Sequence, residues 1–106
     1  MSLERVIKAL IGLGLPRSDA EVYVYLTKTG PQKAIDLTKA LKINKQKIFA
    51  SLKNLQVKGL VTKNRIVFSA LPFEEALELL IKIEKEQARV IQESKEELLA
   101  TWETKD

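Results

Sequence analysis

The chain has 106 residues, 45% of them hydrophobic and 30% charged, with a net charge of +4; that is the size and balance of one small globular domain, too apolar for a disordered chain. Cysteine and histidine are both absent and no Gly-rich phosphate loop occurs, so disulfides, thiolate and imidazole metal sites and imidazole acid–base chemistry lose their usual residues, and no enzyme, metal or cofactor is expected. No apolar run approaches the roughly 20 residues of a membrane span and no signal peptide is evident, so a cytoplasmic protein with no membrane partner is expected.

The segment "LERVIKALI" sets Leu3, Val6, Ile7, Leu10 and Ile11 on one helical face, and Gly12 and Gly14 end that helix. Ser18 followed by Glu21 is the pattern of a capping box, so a second helix is expected from Ser18 to near Gly30. Its "VYVYL" alone would suit a strand; the cap and the length favour helix. "TGP" at 29–31 is a break. A third short helix fits "QKAIDLTKALK", with Lys33 near its start and Ala34, Ile35, Leu37, Thr38 and Leu41 as its buried stripe. Only "KIN" separates it from a fourth helix that Asn44 would cap, which is helix-turn-helix spacing.

Gly59 closes the fourth helix. The runs Leu60–Thr62 and Ile66–Ser69 around Lys63-Asn64-Arg65 predict a short β-hairpin, giving a winged-helix order of elements. From Phe73 to Glu103 no Gly or Pro intervenes. A helix of that length would be a rod of about 45 Å, longer than a seventy-residue body with a radius of gyration near 11 Å. It must project, fold over a partner, or break. Leu77, Leu80, Ile83, Gln87, Ile91, Ser94, Leu98 and Trp102 form a three-four stripe along it, which predicts a homodimer through this helix.

Charge is unevenly placed. Through Ala70 thirteen Lys and Arg face four Asp and Glu, a net of +9; from Leu71 onward five bases face ten acids, a net of −5. A basic front of this kind suits a polyanion. The fourth helix, "NKQKIFASLKNLQVKG", crowds four of those thirteen cations, Lys45, Lys47, Lys53 and Lys58, into sixteen positions. At about 100° per residue, Ile48, Ser51, Leu52 and Leu55 share one arc, while Gln46, Phe49, Ala50, Lys53, Asn54 and Val57 take the opposite one. Lys45 and Lys47 flank the exposed arc at the first turn. In a DNA major groove such a helix would read base edges with Gln46 and Ala50, while Lys45, Lys47 and Lys53 meet phosphates or, for Lys53, a guanine. Asn44 leaves the positive end of the helix facing the anion. Phe49 either joins that surface or packs beneath the hairpin. Lys63, Asn64 and Arg65 are candidate minor-groove or phosphate contacts, Lys33 is a candidate phosphate contact, and Lys58 has a structural place at the helix C-terminus.

The stretch "LGLPRSDAEVYVYLTKTGPQKAIDLTKALKINKQKIFASLKNLQVKGLV", with "LPFEEAL" after the hairpin, resembles the winged-helix domain of the TrmB-like transcriptional regulators, known mainly from archaea. The resemblance covers roughly residues 10–80. It implies sequence-specific DNA binding as a dimer, with recognition positions matching Lys45, Gln46, Lys47, Phe49 and Lys53. Three departures stand out: Phe49 where members commonly have Tyr, a short wing, and a chain that stops after the long helix where larger members continue into a sugar-binding domain. A short standalone regulator with no assignable small-molecule effector is the expectation.

The expected protein is thus mainly α with a small β-hairpin: a winged helix-turn-helix over residues 1–71, followed by a long C-terminal dimerisation helix over 72–106. Its expected function is that of a homodimeric regulator of transcription that binds double-stranded DNA. The alternative is a winged-helix protein-interaction module of a larger transcription assembly, using the apolar long helix and reading no bases.

Overall fold

A computed structural model describes residues 3–104. The elements in chain order are α1 (Leu3–Gly12), α2 (Arg17–Thr29), β1 (Gln32–Lys33), α3 (Ala34–Leu41), α4 (Lys45–Val57), β2 (Val61–Asn64), β3 (Val67–Ala70), α5 (Phe73–Glu93) and α6 (Lys95–Thr104). α1 to α4 and a three-stranded antiparallel sheet make the winged-helix body, and α5 with α6 form a long C-terminal arm.

α1 ends as expected. Gly14 takes φ +104°, which a side chain would resist, and Leu15 N–H returns to the Leu10 carbonyl at 3.1 Å. Leu10 is buried on the expected face, but Leu3 is 45% exposed. "VYVYL" is helical, as the length argument requires. The capping box, however, does not form. α2 begins at Arg17, with Pro16 at the cap position and no side-chain cap. Pro16 already has the φ of a helix entry, and its carbonyl accepts from Ala20 N–H at 3.0 Å. Ser18 lies within the first turn, with its hydroxyl 3.1 Å from that of Ser51 on α4. Glu21 instead pairs with Arg17 at 3.5 Å. Arg17 also holds Glu4 of α1 with two bonds, at 2.7 and 3.3 Å.

The third helix is shorter than expected. Gln32 and Lys33 are extended and pair with Phe68 and Val67 of β3, so the sheet runs β1-β3-β2. The hairpin's second strand thereby gains a neighbour on each side, which an isolated hairpin lacks. Leu37 is fully buried in α3, whereas Ile35 is 60% exposed and leaves the predicted stripe. The hairpin is also displaced along the chain. Asn64 pairs with Val67, so the loop is Arg65-Ile66, and Ile66 is a tip residue, not a strand residue. This register keeps Val61 and Phe68 buried, and burial of one face is what fixes strand pairing.

The long helix both projects and breaks. Ser94 interrupts it, with its hydroxyl donating to the Val90 carbonyl at 2.8 Å, a bond that loosens the helical ladder. Leu98 N–H still reaches the Ser94 carbonyl at 2.9 Å. Ala76 and Leu80 are buried in the core of the body. From Lys85 to Thr104 every residue except Ser94 is exposed. The Cα radius of gyration of 16.7 Å and the 50 Å long axis reflect this arm; a compact chain of this length would come to about 13 Å. Among the described residues no helix is long and apolar enough to cross a membrane.

Tyr23 fixes the root of the arm. Its ring is buried in the core, and its hydroxyl donates to the Leu71 carbonyl at 2.5 Å, one residue before Pro72 caps α5. Burial, helped by the nearby Glu75 carboxylate, pushes the phenol up to about 12. The neutral phenol is therefore favoured in the folded state, and its stabilisation is complete below pH ~10 and lost as pH rises toward 12. Tyr23→Phe should cost about 1 kcal/mol at neutral pH in urea unfolding. The gap to wild type should narrow as pH rises from about 10 toward 12.

Candidate nucleic-acid interface

α4 is built as a two-faced helix. Asn44 caps it, its side-chain oxygen accepting from Lys47 N–H at 2.8 Å. Ile48, Ser51, Leu52 and Leu55 are all buried, at 2% exposure or less. That apolar face packs on α2 and α3 and toward the sheet, with the Ser51 hydroxyl satisfied by Ser18. Burial of this arc fixes what the other presents: Lys45, Gln46, Lys47, Phe49, Ala50, Lys53 and Asn54 are all exposed.

Phe49 belongs to the exposed surface, not to the underside of the hairpin. Its ring is 46% exposed, and the Lys45 ammonium lies 6.0 Å from its centroid, within cation–π range. The pair sits one turn apart on the exposed face. Lys58, partly buried, ends the helix; its N–H bonds to the Asn54 carbonyl at 3.1 Å.

The remaining candidates gather at the wing. Lys33 is exposed in β1 and opposes Val67, which on its other side opposes Asn64. Lys33 and Asn64 therefore lie on the two strands flanking β3, roughly 10 Å apart across two strand spacings. Lys63 pairs across the sheet with Phe68, its ammonium 5.6 Å from that ring. Arg65 holds φ +63° at the first loop position and Ile66 is 61% exposed beside it. The sheet thus carries Lys33, Lys63 and Arg65 as exposed cations.

The sequence did not single out Arg17 or Lys42, which stand beside the start of α4, nor Ile66. Lys42 caps α3 in the left-handed conformation, with φ 56°. A lysine carries no signal for that geometry, which glycine or asparagine usually fills.

The arm candidates divide in two. Leu80 is 1% exposed and Leu77 packs against the core, so these two hold α5 to its own body. Gln87, Ile91, Leu98 and Trp102 lie on the uncovered length, where Ile91, Leu98 and Trp102 are exposed by 60%, 51% and 69%. Ile83 and Ser94 are half-buried, Ser94 at the helix interruption.

A family model described as the sugar-specific transcriptional regulator TrmB matches residues 10–74. The match takes in α2 to the start of α5, and so every candidate residue of the helix-turn-helix and wing. An uncharacterised protein of Methanocaldococcus jannaschii is 28% identical over 94 residues, covering 80% of this chain and 71% of its own. A solved structure described as a possible transcriptional regulator from Methanosarcina mazei Go1 shares the fold, with a TM-score of 0.62 at 23% identity, over 91% of this chain and 88% of that one.

Asn44→Ala should cost about 1 kcal/mol in chemical unfolding, because the Lys47 N–H would lose its acceptor.

Proposed function

The chain belongs to the TrmB family and is a transcription regulator, and from this we propose that it binds double-stranded DNA sequence-specifically, as a homodimer in the cytoplasm, with α4 in the major groove. The single observation that carries the proposal is the division of α4: a fully buried arc, and opposite it an exposed arc of Lys45, Gln46, Lys47, Phe49, Ala50 and Lys53. In this reading Gln46 pairs with an adenine edge and Ala50 meets a thymine methyl. Lys45, Lys47 and Lys53 neutralise phosphates, and the Lys45 ammonium over Phe49 keeps that charge near the groove. Lys33, Lys63, Asn64 and Arg65 follow the adjoining backbone or minor groove from the wing.

The homodimer rests on the arm. A helix that leaves its body uncovered while carrying Ile91 and Leu98 exposed is supported best by a second copy covering that stripe. No small-molecule effector enters the proposal.

Selection of bound sequences from a random duplex pool tests the reading and yields half-site spacing at once. Affinity should fall steeply as salt rises, with a slope of about −0.9 per phosphate neutralised; no duplex binding at low salt, with capture of a protein partner instead, would favour the interaction-module alternative. Lys45→Ala should weaken all sequences alike, whereas Gln46→Ala should cost about 1–3 kcal/mol at one base position and little elsewhere. Equal losses across all duplexes for both variants would reject that division. Ile91→Glu combined with Leu98→Glu should give monomers in sedimentation with the body still folded, since neither side chain touches the core.

A further inference from the structure

Among the described residues only two other than glycine hold positive φ, Lys42 at 56° and Arg65 at 63°. Both are cations, and they bracket α4, one in the turn before it and one in the wing after it. This conformation costs an L-residue about 1–2 kcal/mol, and strain of this kind recurs where a side chain must be aimed at a ligand. Arg65 already belongs to the wing. Lys42 has had no role.

Lys42 lines a cleft of about 480 Å³ between the first turn of α2 and the start of α4, with Arg17, Ser18, Glu21, Asn44 and Lys47 among the other lining residues. Three cations stand against the Glu21 carboxylate of the lining and the Glu4 carboxylate behind it, a local balance of +1 that rests on Lys42 and Lys47. Arg17 is held in place by Glu4 at 2.7 Å and by Glu21 at 3.5 Å, so it forms a fixed polar wall whose own charge is compensated. Neither Lys42 nor Lys47 has an ion-pair partner among the described residues. The Ser18 hydroxyl and the Asn44 amide add polar groups of modest size. Asn44 caps α4 and Lys47 lies in its first turn, so the cleft sits at the N-terminal end of that helix, whereas the wing follows its C-terminal end.

We propose that this cleft seats a backbone phosphate of double-stranded DNA at the edge of the major groove, with Lys42 carrying the contact and Arg17 and Lys47 walling it. The inference rests on the DNA-binding reading and extends it: α4 is gripped through backbone on both flanks, by the wing on one side and by the α3–α4 turn on the other. Contact at a phosphate fixes register and adds affinity without distinguishing sequences.

The test is a fluorescence-anisotropy titration of the full chain against a selected and an unrelated duplex, across a salt series. Wild type is compared with Lys42→Gly and Lys42→Asn; both replacements tolerate left-handed backbone and carry no charge. Each variant should bind both duplexes about fivefold more weakly at 0.15 M salt, with the salt slope reduced by about 0.9 for each phosphate lost, and with no fall in Tm. Unchanged affinity and slope in both variants, beside a wild type that binds, would overturn the inference and leave the DNA reading standing. So would a loss seen with Gly alone, which would mark a loosened turn, or a loss confined to the selected duplex, which would mark base reading. A wild type that binds no duplex removes the DNA reading itself, and this inference with it.

Discussion

Burial of one face of α4 is the constraint on which the rest of the structure depends. Ile48, Leu52 and Leu55 are completely removed from water, and truncating any one buried aliphatic of this size costs about 2–5 kcal/mol. Ser51 sits among them with its hydroxyl satisfied by Ser18, so the face tolerates a polar group only where a partner stands. With rotation about the helix axis fixed in this way, the opposite arc has no freedom. The crowd of lysines in one short helix follows from that division. Charge and core occupy different sides of the same cylinder.

How legible this was depends on how local the cause is. The cap at Asn44 and the two arcs of α4 follow from neighbours in sequence, and both are found where helical geometry puts them. The capping box at Ser18 failed because another local signal, Pro16, takes the cap position two residues earlier, and because the Ser18 hydroxyl is engaged by a residue thirty-three positions away. β1 could not be read at all. Two residues carry no periodicity, and Gln32 and Lys33 are extended because Phe68 and Val67 offer them an edge. The wing was found but misplaced, since the polar run Lys63-Asn64-Arg65 resembles a turn while the burial of Phe68 decides the register.

The candidate site shows the same split. Lysines on α4 and at the wing are visible as composition and angle. The place of Lys42 depends on the sign of one backbone dihedral, and that of Arg17 on the approach of α2 to a turn twenty-five residues later. The charge asymmetry along the chain becomes a spatial one, because the acidic segment is the arm that leaves the body. A basic helix and wing and an acidic stalk are thereby kept apart. Leu77 and Leu80 appeared in the sequence to continue the stripe of the arm; they are the rivets that bind it to the body.

Residues 85–104 are exposed along their whole length except at Ser94. Their helix is supported by backbone hydrogen bonds and by surface ion pairs such as those of Arg89 with Glu86 and Glu93, each of small value in water. The anchored first half of α5 supplies the nucleus that a free helix would have to form at a cost, so winding propagates outward from Leu80. The Ser94 interruption is where that propagation is weakest. Whatever covers the stripe therefore also winds the helix beneath it. In the proposed homodimer the cover is a second copy, and mass action would then make the length of ordered arm a function of how much of the protein is present.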